Sequence, residues 1–184
     1  MQDYAHGKYR LAIMTRDAAY SDKLRDLMAR DAMQIPCDYI FWIDADQTYP
    51  PDSPERLMKH IDSGKLVVGG LVPHRGNGLP NVYMAIPGSP LYRHRKVYEG
   101  EGVIKVDAMG LGGVMMSPEV FRKMEYPWFR QYWDESIKDA LGMDFTFYKN
   151  CARAGIDVWC DTSLVYGHLA LKNVPLTIEK RMIL

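Results

Sequence analysis

The sequence predicts a single α/β domain over residues 1–184, in which a mostly parallel central sheet lies between layers of helices. Strand-like and helix-like stretches alternate along the chain, which is typical of sheets whose strands are joined by helices. Two strand-like stretches, 39–43 and 66–72, are short continuous apolar runs, as expected of strands covered on both faces. A chain of 184 residues is long enough for one such core and too short for two.

Four helices are predicted, three of them from apolar residues at helical spacing and one from its first residues, 117–119. The first ends at Pro36, and the second follows the prolines at 50–54 and stops at Gly64. The third begins at Ser117, which would be its N-cap, and the fourth covers 143–154 before Gly155. The predicted strands, in order, are 9–14, 39–43, 66–72, 103–106, 113–116 and 156–160.

Residues 73–102 form a long excursion that is rich in Pro, Gly, Arg and His. Its one strand-like part, 82–86, predicts a loose hairpin. Long ordered loops are more often functional than idle. The basic residues of the excursion, at 74–75 and 93–96, could hold a diphosphate or an anionic acceptor, or form a solvated loop, and both interpretations stay open.

Composition excludes several function classes. The formal net charge is +0, so no overall field draws the chain to nucleic acid or to an anionic membrane. No apolar run approaches the roughly 20 residues that span a bilayer, and residues 1–8 lack the apolar core of a signal peptide. Cys37, Cys151 and Cys160 are an odd set without C-x-x-C spacing, which favours buried free thiols and a cytoplasmic location.

Asp44 and Asp46 follow the apolar run that ends at Ile43. On an extended backbone, residues two apart point to the same side, where two carboxylates repel each other unless a cation lies between them. Mg²⁺ and Mn²⁺ prefer oxygen ligands and leave positions open for substrate phosphates. The pair therefore indicates a metal that holds a diphosphate, although Asp-x-Asp alone is common and also fits a solvated turn.

The segment 37–50 resembles the metal-binding segment of GT-A fold glycosyltransferases, and is most similar to their family-2-like and small viral or phage forms. Three further blocks follow in the order of that family: 66–71; 106–116 with Pro127-Trp128-Phe129; and 142–148 with 154–159 and Gly167-His168. The resemblance covers residues 29–169. It implies a Rossmann-like α/β/α sandwich that moves a sugar from a UDP- or GDP-sugar to a glycan or another hydroxyl acceptor, with Mn²⁺ or Mg²⁺ as cofactor.

By position, the resemblance assigns Asp46 to the metal ion. It assigns Asp44 to the donor ribose or, through water, to the metal. His168 would be a further ligand, since neutral imidazole suits Mn²⁺; without the resemblance, it reads as an ordinary surface or core histidine.

The resemblance also implies a donor side. Asp107 would contact the donor sugar, and Gly110, Gly112 and Gly113 would let backbone approach it, because glycine has no Cβ. A tight turn before a strand would explain the same glycines. Arg16 and Arg30 are the upstream cations that could meet phosphate, or else ordinary surface arginines.

Asp144, at the start of the fourth helix, is implied as the general base of an inverting reaction. A helix N-terminus favours an ionised carboxylate, although Asp144 could equally be the N-cap. The family usually has Glu-Asp here, where this chain has Met143-Asp144. We expect Asp144→Asn to lower kcat at least about 10²-fold, the usual scale for a lost general base.

The strand that usually opens GT-A enzymes and holds the nucleotide base is not recognisable. The chain would then be a shortened form or a fragment, or would use residues 9–17 instead. Two alternatives therefore stay open. One is a non-catalytic nucleotide-sugar-binding module, such as a degenerate GT-A domain that works as a homo-oligomer or with a partner chain. The other is a nucleotidyltransferase, which would normally show a Gly-rich basic loop near the N-terminus.

Overall fold

The computed structural model describes residues 2–6, 9–16, 21–74, 77–98 and 100–169. The helices are α1 (Ser21–Ala32), α2 (Ser53–Asp62), α3 (Glu119–Lys123) and α4 (Met143–Arg153). The strands are β1 (Gln2–His6), β2 (Tyr9–Ile13), β3 (Ile40–Trp42), β4 (Gln47–Thr48), β5 (Val67–Leu71), β6 (Val82–Ala85), β7 (Tyr92–His94), β8 (Val103–Val106), β9 (Ala108–Met109), β10 (Val114–Met116), β11 (Tyr132–Asp134), β12 (Asp139–Leu141), β13 (Val158–Val165) and β14 (Gly167–His168).

The largest sheet has five strands in the order β3-β10-β5-β13-β8. Strand β13 runs parallel to β5, whereas β10 is antiparallel to both of its neighbours and β8 is antiparallel to β13. Three of the five strands thus share a direction, but only one adjacent pair is parallel. The predicted α/β class is confirmed, and the sheet is mixed because β10 and β8 run against the other three strands.

Apolar side chains leave the sheet on both faces, as the alternation along a strand requires. Val67 and Val114 lie in the larger cluster, with residues of α1, α3 and α4, whereas Val68 and Met115 lie in the smaller cluster with Leu57 of α2. The helices therefore cover two faces of one sheet, which is the predicted sandwich.

Strand β3 is not the central strand that the run 39–43 predicted. It lies at the edge of the five-stranded sheet, and Ile43 is 62% exposed just beyond its end. An apolar run does not distinguish a central strand from an edge strand, because position in a sheet is set by pairing with distant residues. The edge position leaves the turn after β3 open to solvent.

Strand β2 was predicted, and it pairs only with β1 among the described residues. Its side chains are mostly exposed, so it contributes little to the core. Within the described residues, the five-stranded sheet therefore begins in chain order with β3.

A β-bulge interrupts the pairing of β13 with β5 between Asp161 and Val165. The buried carboxylate of Asp161 accepts hydrogen bonds from the Arg56 guanidinium at 3.1 Å and from the backbone N–H of Ser163 at 3.0 Å, and His60 lies 3.3 Å away. Helix α2 thereby fixes the place where β13 changes register. Beyond it the chain turns into β14, which pairs with β4.

The excursion hairpin, the start of α3 and the cysteines were also predicted from the sequence. The hairpin predicted within the excursion is formed by β6 and β7, and β9 adds a third strand. The N-cap of α3 is Pro118 rather than Ser117, although the Ser117 hydroxyl accepts the Glu119 N–H. All three cysteines are free thiols, two buried and Cys37 partly so. No helix in the described ranges is long and apolar enough to cross a membrane.

Candidate active site

Asp44 and Asp46 lie in a turn that joins β3 to β4, not on extended backbone as the sequence suggested. The Gln47 N–H donates to the Asp44 carbonyl at 3.3 Å, and the Asp44 N–H donates to the Tyr49 hydroxyl at 3.0 Å. That hydroxyl in turn lies 2.9 Å from the Gln47 side-chain oxygen. The turn is therefore held by its own hydrogen bonds, and the two carboxylates are directed to different partners.

Asp44 is paired with Arg25 of α1. The guanidinium Nη2 lies 2.6 Å from Asp44 Oδ1, and the arginine side chain is only 12% exposed. The guanidinium also lies over the ring of Trp42, 5.4 Å from its centroid. The carboxylate and the indole together hold the positive charge of Arg25 in one place beside the turn.

Arg25 is a site residue that the sequence did not reveal. The two arginines proposed instead, Arg16 and Arg30, lie elsewhere: Arg16 forms an ion pair with Asp31, and Arg30 is exposed in the last turn of α1. One signal was available, because Arg25 is four residues before Ala29 and therefore on the same side of α1. Ala29 is fully buried, and a charge near a buried face needs a partner.

The glycine turn before β10 faces the Asp44 carboxylate at one position. A Cβ on Gly112 would lie 2.6 Å from Asp44 Oδ2 and 2.5 Å from the Gln47 amide nitrogen. Gly110 is instead close to the side chain of Asn81, and Gly113, with φ +77°, is close to the ring of Tyr166. Gly112 alone of the three thus meets a proposed donor residue, and Gly110 and Gly113 have structural partners.

Asp144 is the second residue of α4, whose N-cap is Gly142. The N-cap alternative for Asp144 is therefore wrong. Burial raises the pKa of Asp144 above its usual 3.8, and the negative charge of Asp44 raises it further. The positive charge of Arg25 and a hydrogen bond from the backbone N–H of Leu111 lower that pKa, but the net shift is upward. Desolvation is the largest of these influences on the Asp144 carboxyl. A raised carboxyl pKa brings a general base closer to neutral pH.

Asp46 and His168 are brought together by two short strands. His168 pairs with Gln47 across β14 and β4, and its Nε2 lies 3.8 Å from Asp46 Oδ2. The His168 Nδ1 lies 2.9 Å from the carbonyl oxygen of Pro73. A carbonyl only accepts, so Nδ1 carries the proton of this hydrogen bond, and the other ring nitrogen, Nε2, faces Asp46.

This donor set fits a divalent cation in part. Two ligands about 2.1 Å from one ion lie about 3.0 Å apart at right angles and about 4.2 Å apart across the ion. The 3.8 Å between the two atoms matches neither value, so the side chains would have to shift to share an ion. A backbone carbonyl that orients a histidine is the usual support of a metal ligand. Among the described residues, however, no group of three or more His, Cys, Asp or Glu side chains could hold a metal. A bound ion would need ligands from substrate or water as well.

Asp107 lies apart from this group. Its carboxylate accepts the backbone N–H of Ala85 at 2.8 Å, and it lines two shallow cavities of about 210 and 290 Å³ beside the C-terminal half of α4. Neither cavity is lined by Asp44, Asp46 or His168. The structure therefore does not bring Asp107 together with the residues of the turn.

The basic residues of the excursion are divided between several partners. Arg95 forms two hydrogen bonds of 3.0 Å with the Glu101 carboxylate. His94 lies beside Tyr83 and His74. Arg75 falls outside the described residues.

Known proteins resemble this chain in sequence and in fold. The sequence model of the family described as "Glycosyl transferase family 2" matches residues 32–150, more than half of the chain. No curated protein matches the chain with significant similarity. The structure described as "Crystal Structure of A197 from STIV" is similar with a TM-score of 0.62 and 16% identity, over 90% of this chain and 81% of that one. That likeness supports the GT-A-like fold, and the family match confirms the resemblance seen in the sequence. The chain therefore belongs to glycosyl transferase family 2.

Proposed function

We propose that the protein is a metal-dependent, inverting glycosyltransferase that moves a sugar from a UDP- or GDP-sugar to a hydroxyl acceptor. One observation carries the proposal: the turn after β3 directs Asp46 to His168 and Asp44 to Arg25, while Asp144 lies close enough to Arg25 and Asp44 to be affected by both charges. A cation site, a fixed positive charge and a candidate base thus surround one turn. Family membership supports glycosyl transfer in general.

The metal would be Mn²⁺ or Mg²⁺, held by Asp46 and His168, and would supply positive charge to the leaving nucleoside diphosphate. Arg25 lies on the other side of the turn, where its guanidinium keeps Asp44 in place. Asp44 is left with Oδ2 beside Gly112, a position from which it can accept hydrogen bonds from a donor ribose.

Asp144 would take the proton from the acceptor hydroxyl. As that oxygen forms a bond to the anomeric carbon, the bond from the same carbon to the diphosphate oxygen breaks, and the proton moves to the Asp144 carboxylate. The carboxylate must be ionised beforehand. Arg25 favours this charged form against the burial that disfavours it, so Arg25 assists the base and the donor side together.

The test measures release of UDP or GDP from nucleotide-sugars with and without Mn²⁺. We expect metal-dependent release by the wild-type protein, and a loss of at least about 10²-fold for Asp144→Asn. Asp46→Asn should weaken Mn²⁺ binding, whereas Asp38→Asn, the same change at an exposed position before β3, should leave it unchanged. Asp139→Asn, at an exposed position before α4, is the matched control for Asp144→Asn.

Two other outcomes would favour the alternatives. Stabilisation by Mn²⁺ with a nucleotide-sugar, without any release or transfer, would favour a non-catalytic binding module. Transfer of the nucleoside monophosphate group from a nucleoside triphosphate to a sugar phosphate, with release of pyrophosphate, would favour a nucleotidyltransferase, which the family match does not support. Near-normal turnover in Asp144→Asn would remove Asp144 from the mechanism.

A further inference from the structure

Four rings form a continuous arc beside the candidate active site: His74, His94, Tyr83 and Phe145, here called the ring arc. His94 lies opposite Tyr83 across β6 and β7, with 4.5 Å between ring centroids. Tyr83 packs edge-to-face on Phe145 at 5.0 Å, and His74 packs edge-to-face on His94 at 6.2 Å. The two imidazoles are exposed, and Tyr83 is half-buried.

The ring arc has the His168 side of the site near one end and the Asp144 side near the other. At one end, His74 follows Pro73, whose carbonyl holds the His168 ring. At the other end, Phe145 follows Asp144, and the pKa of Tyr83 is raised first by burial and then by the Asp144 carboxylate. The ring arc therefore lies between the residue after Pro73, which holds His168, and the residue after Asp144.

The arginines of the excursion do not make the ring arc a binding site for anions. Arg95 is held by the Glu101 carboxylate at 3.0 Å on two nitrogens. Arg93 is adjacent to His94 on β7, so its side chain points to the opposite face of the hairpin. Of the run 93–96, His94 is the residue that meets Tyr83.

We propose that the ring arc is the acceptor platform of the enzyme, and that it binds a neutral hexopyranoside across the solvent-facing side of His94 and Tyr83 with a hydroxyl directed to Asp144. This inference rests on the proposed function. A pyranose has an apolar C–H face and a polar rim, which matches rings that present an apolar body and a polar tip. Tyr83 is fixed for such contact, because its hydroxyl donates to the Asn81 side-chain oxygen at 2.5 Å.

The first test measures binding without any donor. Imidazole proton signals in ¹H NMR spectra are assigned with single His→Gln variants, and methyl glucopyranoside, mannopyranoside and galactopyranoside are titrated in turn to tens of millimolar. We expect the His94 and His74 signals to move with at least one sugar, and sorbitol at equal concentration to have no effect. His60, next to Asp161, is the internal control. Signals that stay fixed with all three sugars, or that move equally at His60, would overturn the platform.

The second test measures transfer against hydrolysis of the same nucleotide-sugar, with the methyl glycosides as acceptors. We expect His94→Ala to lower the transfer-to-hydrolysis ratio about tenfold, and His94→Phe to retain most of it because the ring remains. Arg93→Ala, on the opposite face, should match the wild type. Equal ratios in His94→Ala and Arg93→Ala would overturn the platform. A wild type that binds the glycosides but never releases nucleoside diphosphate would instead refute the proposed function.

Discussion

Gly112→Ala is the sharpest test of how the glycine turn supports Asp44. The new Cβ would lie 2.6 Å from Asp44 Oδ2, where ordinary contacts begin at 3.4 Å, so the carboxylate must move by 3.4 − 2.6 = 0.8 Å. The Gln47 amide can rotate away, but Asp44 is tied to Arg25 at 2.6 Å. The backbone of Gly112 does not have the positive φ that disfavours alanine, so the substitution tests packing alone.

The expected magnitude follows from that displacement. A misplacement of about 1 Å in a catalytic arrangement costs on the order of 10²-fold in rate, so 0.8 Å predicts a fall in kcat/KM of about 10- to 100-fold, or about 1.4–2.7 kcal/mol. Overpacking should also lower the free energy of unfolding by about 1–2 kcal/mol.

The assay is release of nucleoside diphosphate, with unfolding in urea measured on the same samples. Gly64→Ala is the control: Gly64 has φ +96° and open space around it, so alanine strains the backbone at the end of α2 by about 1 kcal/mol or more without reaching the turn. We expect Gly64→Ala to lose stability and keep kcat/KM. A Gly112→Ala protein with kcat/KM within twofold of the wild type would refute the reasoning.

Four further predictions follow from the structure. In wild type, the acid limb of the kcat/KM profile should lie above pH 3.8, since burial raises the pKa of Asp144 and only the ionised carboxylate is a base; a limb at or below that pH would contradict this. Arg25→Met should move the limb to higher pH, because Arg25 lowers that pKa, and it should cost about 1–2 kcal/mol of unfolding free energy, since the Asp44 side chain stays a third exposed. His168→Ala should weaken Mn²⁺ binding, measured by electron paramagnetic resonance of the free ion, by at least about tenfold, and an unchanged affinity would exclude His168 as a ligand. Asp161→Asn should lower the free energy of unfolding in urea at pH 7 by about 2 kcal/mol. Burial alone would raise the pKa of Asp161, but the Ser163 hydrogen bonds, His60 and Arg56 lower it. The loss of stability should therefore be largest above pH 4 and shrink as the pH falls through the lowered pKa.

Much of the fold could be predicted from local pattern. Alternating apolar stretches gave the helices and strands of the α/β class, and Gly64 and Gly155, both with positive φ, mark helix ends as expected. The order of strands could not be predicted. The antiparallel insertion of β10 beside β3 depends on pairing between residues far apart in the chain, for which periodicity carries no signal.

The site divides in the same way. Asp46, His168 and Asp144 were assigned by resemblance, and the metal and base roles stay predictions. Arg25 was missed because its partner lies on another element, 19 positions along the chain, and nothing in the spacing links them. The raised pKa of Asp144 could not be predicted, because the sequence shows a helix start but not the burial around it.

The pairing of β4 with β14 has a consequence for folding. Asp46 and His168 are joined by four residues in two very short strands, and one of those strands comes at the end of the described chain. The chain between β4 and β14 forms a very long loop. This loop should close late in folding, because the entropy lost on closing it is recovered only when these distant residues come into contact. The proposed Mn²⁺ site of Asp46 and His168 should therefore be absent from chains in which β14 is not yet paired, so that Mn²⁺ binding would report that β4 and β14 have come together.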